Sequence, residues 1–171
     1  MKKIKNYVII FKERGILMWD CIIIGAGPSG LMTGIEASKN NKVLIIEKNA
    51  KPGRKLLLTG NGRCNITNLK ENNAFIENVN YNKKYLYSTI YNFGPREIYN
   101  YFTENKVMLK EEDDNKIFPV SDKASDILNA LLKNTNNLTI NYNESVINII
   151  KNDEYYEVVT NKSSYQARNL V

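Results

Sequence analysis

The residues best suited to chemistry lie early in the chain. Gly25-Ala26-Gly27-Pro28-Ser29-Gly30 places three glycines at the spacing G-x-G-x-x-G. Each glycine of such a turn has its own task. The first allows a sharp exit from a strand, the second lets backbone approach a pyrophosphate, and the third lets a helix sit close to the strand. N–H groups at the start of that helix then face the phosphates, aided by the positive end of the helix dipole. Glu47 stands 22 residues after Gly25, where a carboxylate can accept hydrogen bonds from an adenosine ribose. An acid there disfavours a 2′-phosphate, which makes NADP a poor fit to this site.

A glycine pattern alone is weak evidence, so the elements around it matter. Cys21-Ile22-Ile23-Ile24 is a continuous apolar run ending at glycine, as expected of a strand buried on both faces of a parallel sheet. Leu31, Met32, Ile35 and Ser38 recur at helical spacing up to about Lys39, and Val43-Leu44-Ile45-Ile46 is a second buried strand. Together they predict a βαβ unit with the glycine turn and the acid at its two switch points.

Beyond it, 48–68 reads as a loop rich in Gly, Asn, Lys and Arg, followed by a polar stretch to Asn80. Helices are expected over 84–92 and from Pro95 to Glu104, and short strands over 107–109 and 116–118 around the turn Asp113-Asp114-Asn115. Ser121 or Asp122 should cap an amphipathic helix carrying Ala124, Ile127, Leu128, Leu131 and Leu132 on one face. A third strand is expected over 138–142, then a small meander over 146–150, 155–160 and 165–171. The fold class is therefore α/β: a three-layer, Rossmann-like dinucleotide-binding domain with a central parallel sheet and a small β-meander.

Composition narrows the function. The 171 residues suit one domain, with 43% hydrophobic and 25% charged residues. There are 24 Lys+Arg against 18 Asp+Glu, a formal net charge of +6. That balance tolerates anionic partners, but no basic stripe stands out, and Lys, Asn and Ile are abundant throughout. No nucleic-acid partner is expected on this ground. The chain has no histidine, which excludes His-ligated metal and a His-based triad or proton shuttle within it, and no metal site is expected. Catalysis then falls to a bound cofactor. Two cysteines, Cys21 and Cys64, do not make a disulfide scaffold, and a cytoplasmic location without a membrane span is expected. Residues 1–17 combine a basic start with a short apolar run broken by Lys12-Glu13-Arg14. They read as an extension upstream of a true start at Met18, rather than a signal peptide.

From Asp20 to Asn68 the sequence "DCIIIGAGPSGLMTGIEASKNNKVLIIEKNAKPGRKLLLTGNGRCNITN" resembles the N-terminus of the BaiN/YhiN-like family of FAD-dependent oxidoreductases. "GRKLLLTGNGRCNITN" and "KIFPVSDKASDILNALL" are its more specific segments. The resemblance implies a flavoprotein with a glutathione-reductase-type FAD domain, of which 18–171 is an N-terminal, truncated portion holding the adenosine and pyrophosphate site. It implies FAD as cofactor, with NAD(P)H as a candidate electron donor. Gly25, Ala26, Gly27, Pro28, Ser29 and Gly30 would hold the pyrophosphate, and Glu47 with Lys48 beside it the ribose. Gly53, Arg54, Lys55, Thr59, Gly60, Gly62, Arg63, Cys64 and Asn65 would wrap the cofactor towards the flavin, and Val146 would meet adenine through its backbone.

Without the resemblance, Arg54, Lys55 and Arg63 read as a solvated basic loop. Cys64 lacks a partner for disulfide shuttling and reads as structural. The residues identify no catalytic acid or base, no substrate and no oligomeric state. Two further readings stay open: a nucleotide-binding module without turnover, and a flavin-dependent RNA-modifying enzyme. The Gly53–Asn68 loop argues against the latter.

Overall fold

The computed structural model describes residues 18–171, so the expectation for 1–17 lies outside the described residues. Strand β1 (Met18–Ile24) leads into helix α1 (Pro28–Ala37) and strand β2 (Val43–Ile46), completing the expected βαβ unit. β2 also pairs in parallel with β6 (Leu138–Asn141), with Ile45 opposite Ile140. On its other side β1 pairs in parallel with β9 (Ser164–Leu170), and β9 continues antiparallel into β8 (Tyr156–Thr160) and β7 (Val146–Lys151). The large sheet thus runs β6-β2-β1-β9-β8-β7. The meander is present as expected, but it is continuous with the parallel sheet because its last strand is the neighbour of β1.

Period-two alternation of the two central strands supplies both halves of the core. Cys21, Ile23, Val43 and Ile45 face α1 and helix α5 (Ala124–Lys133), where they meet Leu31, Ile35, Ile127 and Leu131. Ile22, Leu44 and Ile46 face the opposite way, against Val158 and Ala167 of the meander strands. One face of the sheet is thus covered by helices, and the other holds a second apolar cluster shared with the meander strands. Gly34 lets α1 approach closely, since a Cβ there would lie 2.8 Å from Ile45 Cδ1.

A second, three-stranded antiparallel sheet, β3 (Thr67–Asn68), β5 (Lys116–Pro119) and β4 (Leu109–Glu112), lies between the βαβ unit and α5 in sequence. The hairpin turns where expected, with Asp114 and Asn115 both in the left-handed region. Its first strand starts at Leu109 and not Val107. Three helices precede it: α2 (Asn72–Glu77), α3 (Tyr87–Asn92) and α4 (Pro95–Glu104). α4 begins at Pro95 as predicted, and Glu97 accepts a hydrogen bond from the Gly94 N–H at 2.9 Å. α2 was hidden in a stretch that reads as polar, and the expected helix from Lys84 is split into a 3-10 turn and α3.

The expected cap of α5 is corrected. The cap residue is Lys123, with no side-chain cap bond, because Asp122 adopts φ 55° and gives its carboxylate to Lys110 Nζ at 2.8 Å.

Ile45 is fully buried between α1 and the sheet, whereas Ile147 on the edge strand β7 is 67% exposed. Ile45→Ala is expected to lower unfolding free energy by about 2–5 kcal/mol, and Ile147→Ala to change it by less than about 0.5 kcal/mol. Urea unfolding of the two variants checks this, and equal losses would contradict the layer assignment.

Candidate functional site

The site forms where β1 and β2 end side by side. Gly25 turns the chain at φ +105°, a conformation that L side chains rarely adopt, and its N–H donates to the Ile46 carbonyl at 2.9 Å. The next N–H, that of Ala26, donates to Glu47 Oε2 at 2.8 Å. Glu47 Oε1 accepts from the Asn49 N–H at 2.8 Å and from its side-chain amide at 2.5 Å. The carboxylate is therefore turned into the glycine turn. Of its four acceptor positions three are taken, which leaves one on Oε2 for a hydroxyl donor. The following loop is stitched down by the Gly53 N–H donating to the Ala26 carbonyl at 2.9 Å. The Glu144 N–H donates to the Glu47 carbonyl at 3.0 Å, which brings the segment before β7 alongside.

These segments enclose a groove of about 430 Å³. It brings together Gly25, Gly27, Pro28, Glu47, Lys48, Gly53, Arg54, Lys55 and Val146, half of the sequence-predicted residues. Ala26 lies buried beneath, contributing its N–H to Glu47. Gly30 is where the helix touches the turn: a Cβ there would sit 2.0 Å from the Gly25 carbonyl oxygen. Gly27 differs. Its φ of −78° suits any residue, and a Cβ built on it meets nothing within 4 Å. Nothing in the chain itself demands glycine at 27.

α1 starts at Pro28, and among the described residues the N–H groups of Gly27, Ser29 and Gly30 have no acceptor within the chain. They form a set of donors at the positive end of a helix dipole. Lys48, Arg54 and Lys55 add cations along the loop side of the groove. The arrangement can hold an anion at the helix start and a hydroxyl-bearing group beside Glu47.

The remaining predicted residues lie elsewhere. Ser29, Thr59, Cys64 and Asn65 line a second, mainly apolar cavity of about 340 Å³, walled by Met32, Phe93, Phe102 and Ile127. Pro28 lies on both cavities. Gly60, Gly62 and Arg63 line neither. Arg63 instead pairs with Glu112 at 2.9 Å and Asp122 at 3.4 Å, with its guanidinium 4.1 Å from the Phe118 ring centroid. Its charge anchors the loop to the small sheet. Cys64 is buried at φ 62°, and burial pushes its thiol pKa up against a smaller opposing effect of the Thr59 hydroxyl. That is the environment of a packing residue.

Of the groove residues that sequence reading did not assign to the site, Asn49 and Glu144 do most to hold its shape. Asn49 holds Glu47 in place; its position two residues beyond the acid was a usable signal for a local side-chain-to-backbone turn. Glu144 is only 3% exposed, and its Oε1 accepts from the Thr160 hydroxyl at 2.6 Å and the Tyr165 hydroxyl at 2.9 Å. A glutamate in a polar connection gives no sign that it will be buried.

Burial pushes the Glu47 carboxyl upward, but the N–H groups of Asn49 and Ala26, the Asn49 amide and the Lys48 charge outweigh it, so its pKa lies below the ordinary value. A lowered carboxyl stabilises the fold above its unfolded pKa, about 4.3, and that stability is lost as pH falls through the lower folded value. Glu47→Gln is expected to cost about 1–3 kcal/mol at neutral pH, since a buried N–H then faces an amide. The gap in thermal midpoint between wild type and variant should close as pH drops below about 4. A gap that stays constant with pH would contradict the ionised role.

Comparison with known proteins finds a match over residues 19–171 to the model of the HI0933-like protein Rossmann domain. A ribosomal RNA dihydrouridine synthase of Escherichia coli is 27% identical over 157 residues, 90% of this chain and 38% of that protein. A 3-dehydro-bile acid delta(4,6)-reductase of Clostridium scindens is 31% identical over 112 residues, 64% of this chain and 27% of that protein. The chain therefore spans well under half the length of these curated relatives. Among solved structures, a 3-ketosteroid-delta4-(5alpha)-dehydrogenase of Rhodococcus jostii RHA1 superposes with a TM-score of 0.65 at 14% identity, covering 90% of this chain and 45% of that one. This last likeness speaks for the fold. Among the described residues no helix is long and apolar enough to cross a membrane.

Proposed function

This chain belongs to the HI0933-like protein family, and on that footing we propose that it is the FAD-binding part of a flavoprotein oxidoreductase. Gly27 carries the reading. Neither its backbone conformation nor its surroundings exclude a side chain, so the space it keeps open serves something outside the chain. A pyrophosphate against the N–H groups of Gly27, Ser29 and Gly30 fits that space, with Arg54 and Lys55 adding charge-assisted contacts of about 1.5–3 kcal/mol each. The free acceptor position of Glu47 suits a ribose hydroxyl, and the backbone at Val146 closes the adenosine end. The apolar cavity behind Pro28 and Ser29 suits a flat aromatic ring system.

When bound, the flavin supplies two-electron chemistry, accepting hydride and passing it on; the protein binds, orients and excludes water. We take NAD(P)H as the hydride donor and the cytoplasm as the location. Two unpaired, buried cysteines support a reducing compartment.

In the first reading the substrate is a small organic molecule and no nucleic acid takes part, in line with the reductase of Clostridium scindens. A second reading takes RNA as substrate. It is favoured by relatives in Escherichia coli and Haemophilus influenzae that are both named ribosomal RNA dihydrouridine synthase. The match to the former extends over 90% of this chain, while the Gly53–Asn68 loop remains the feature that speaks for the first reading. Both names, dihydrouridine synthase and delta(4,6)-reductase, describe reduction at a carbon–carbon double bond.

FAD titration followed by flavin fluorescence quenching tests the common core. Gly27→Ala is expected to weaken FAD binding at least tenfold, about 1.4 kcal/mol. It should lower the stability of the free protein by no more than about 1 kcal/mol for the changed helix cap, because a Cβ there meets nothing within 4 Å. An unchanged affinity would remove the basis of the proposal. NADH oxidation by the FAD-loaded chain then distinguishes turnover from binding alone.

A further inference from the structure

One stretch of sequence lies outside the core and, apart from Phe93, outside both cavities. From Tyr81 to Phe93 it reads YNKKYLYSTIYNF, five aromatic residues and two lysines in thirteen positions. Tyr81 is 82% exposed, Tyr85 69%, Tyr91 55%, Phe93 43% and Tyr87 42%. Neither α3 nor the 3-10 turn before it has a buried residue. A contiguous run of exposed aromatic rings on a folded domain marks a surface that meets a partner.

The local geometry narrows the partner's chemistry. Tyr87 and Tyr91 lie one helical turn apart with ring planes 11° from parallel and centroids 6.4 Å apart. Lys84 Nζ lies 5.2 Å from the Tyr85 ring. From Lys70 to Arg96 there are four cations and two carboxylates, and Lys83 is already paired with Glu77 at 2.6 Å. Beside the rings is a cleft of about 300 Å³ lined by Lys70, Arg96, Asn72, Asn73 and Tyr91 together with two carboxylates, Glu71 and Glu97, the latter held by the Gly94 N–H. The Tyr91 hydroxyl donates to Asn73 Oδ1 at 2.8 Å, which fixes the ring at the edge of this cleft. Flat exposed rings with Lys84, unpaired among the described residues, beside them and amides at their edge suit stacked bases better than they suit an aliphatic protein surface. The rings therefore carry the contact, and the charges of the cleft add little to it. At the far end of the stretch Phe93 stands in the wall of the apolar cavity, which Pro28 shares with the glycine groove.

We propose that this tyrosine–lysine face binds single-stranded RNA, with bases stacked on Tyr85, Tyr87 and Tyr91 and phosphates drawn to Lys84. The strand then runs towards Phe93 at the wall of the apolar cavity, where one nucleotide can leave the stack and approach the ring system that the cavity would hold. This rests on the RNA reading of the substrate and adds to it the docking surface.

Fluorescence anisotropy with a short, labelled single-stranded oligoribonucleotide of mixed sequence, measured on the full chain, tests it. Tyr85→Ala, Tyr87→Ala and Tyr91→Ala are each expected to weaken binding about 5- to 100-fold. Tyr87→Phe, which keeps the stacking plane, should restore affinity. Lys84→Gln should weaken binding and reduce the salt slope by about one, whereas Arg96→Gln should change either little. Thermal midpoints of all variants should match wild type, since these side chains are outside the core. If wild type binds RNA and the tyrosine variants bind equally well, the surface assignment is overturned while the RNA reading stands. If wild type fails to bind at low salt, both fall. Should the tyrosine variants change only self-association in ultracentrifugation, the face is a protein interface and the proposal is overturned.

Discussion

The hydrogen bond from the Ala26 N–H to the Glu47 carboxylate holds the site together. It joins the end of β2 to the turn after β1, across 21 residues of chain. A buried carboxylate is costly unless its oxygens are satisfied by donors, and here Ala26 and Asn49 supply them. The acid is thereby fixed with one acceptor position left over. The same turn receives Gly53 through the Ala26 carbonyl, while the Glu47 carbonyl receives Glu144. Four separate segments of sequence converge on two adjacent residues. Without that convergence the glycine turn would be a bend with no groove around it.

Much of this was legible because the βαβ unit is written in local patterns. Apolar runs of four, a glycine turn and a terminal acid predict strands, helix and site together, and these elements stand where expected. The reading was weaker wherever a residue's role depends on a distant partner. Arg63 looked like a cofactor cation because nothing local reveals that Glu112 and Asp122 meet it from β4 and the start of α5. The same ion pairs explain the missed helix cap, since Asp122 is occupied elsewhere. Glu144 was invisible for a related reason: Thr160 and Tyr165, which satisfy it, lie on strands that follow it in sequence. The last strand reads as part of a meander from its turns, but its parallel partner is at the opposite end of the described chain.

The two cavities divide the chemistry by polarity. The groove at the helix start is lined by cations, carboxylates and open backbone; the cavity behind Pro28 is mostly aliphatic and aromatic. A ligand spanning both would need a charged, sugar-bearing half and a flat apolar half. The positions of Thr59, Cys64 and Asn65, away from the groove but on the second cavity, are consistent with such a division.

The pairing of β9 with β1 also bears on how the chain is made. β1 can find β2 soon after both leave the ribosome, but its other neighbour, β9, with Gln166 opposite Met18, follows only after most of the described chain has been made. Until then one edge of the central strand is open, and an apolar edge of this kind invites pairing with other chains. Closing so distant a contact also slows folding. Placing the last described strand against the first thus trades an early-closed sheet for one whose central strand waits on a distant partner.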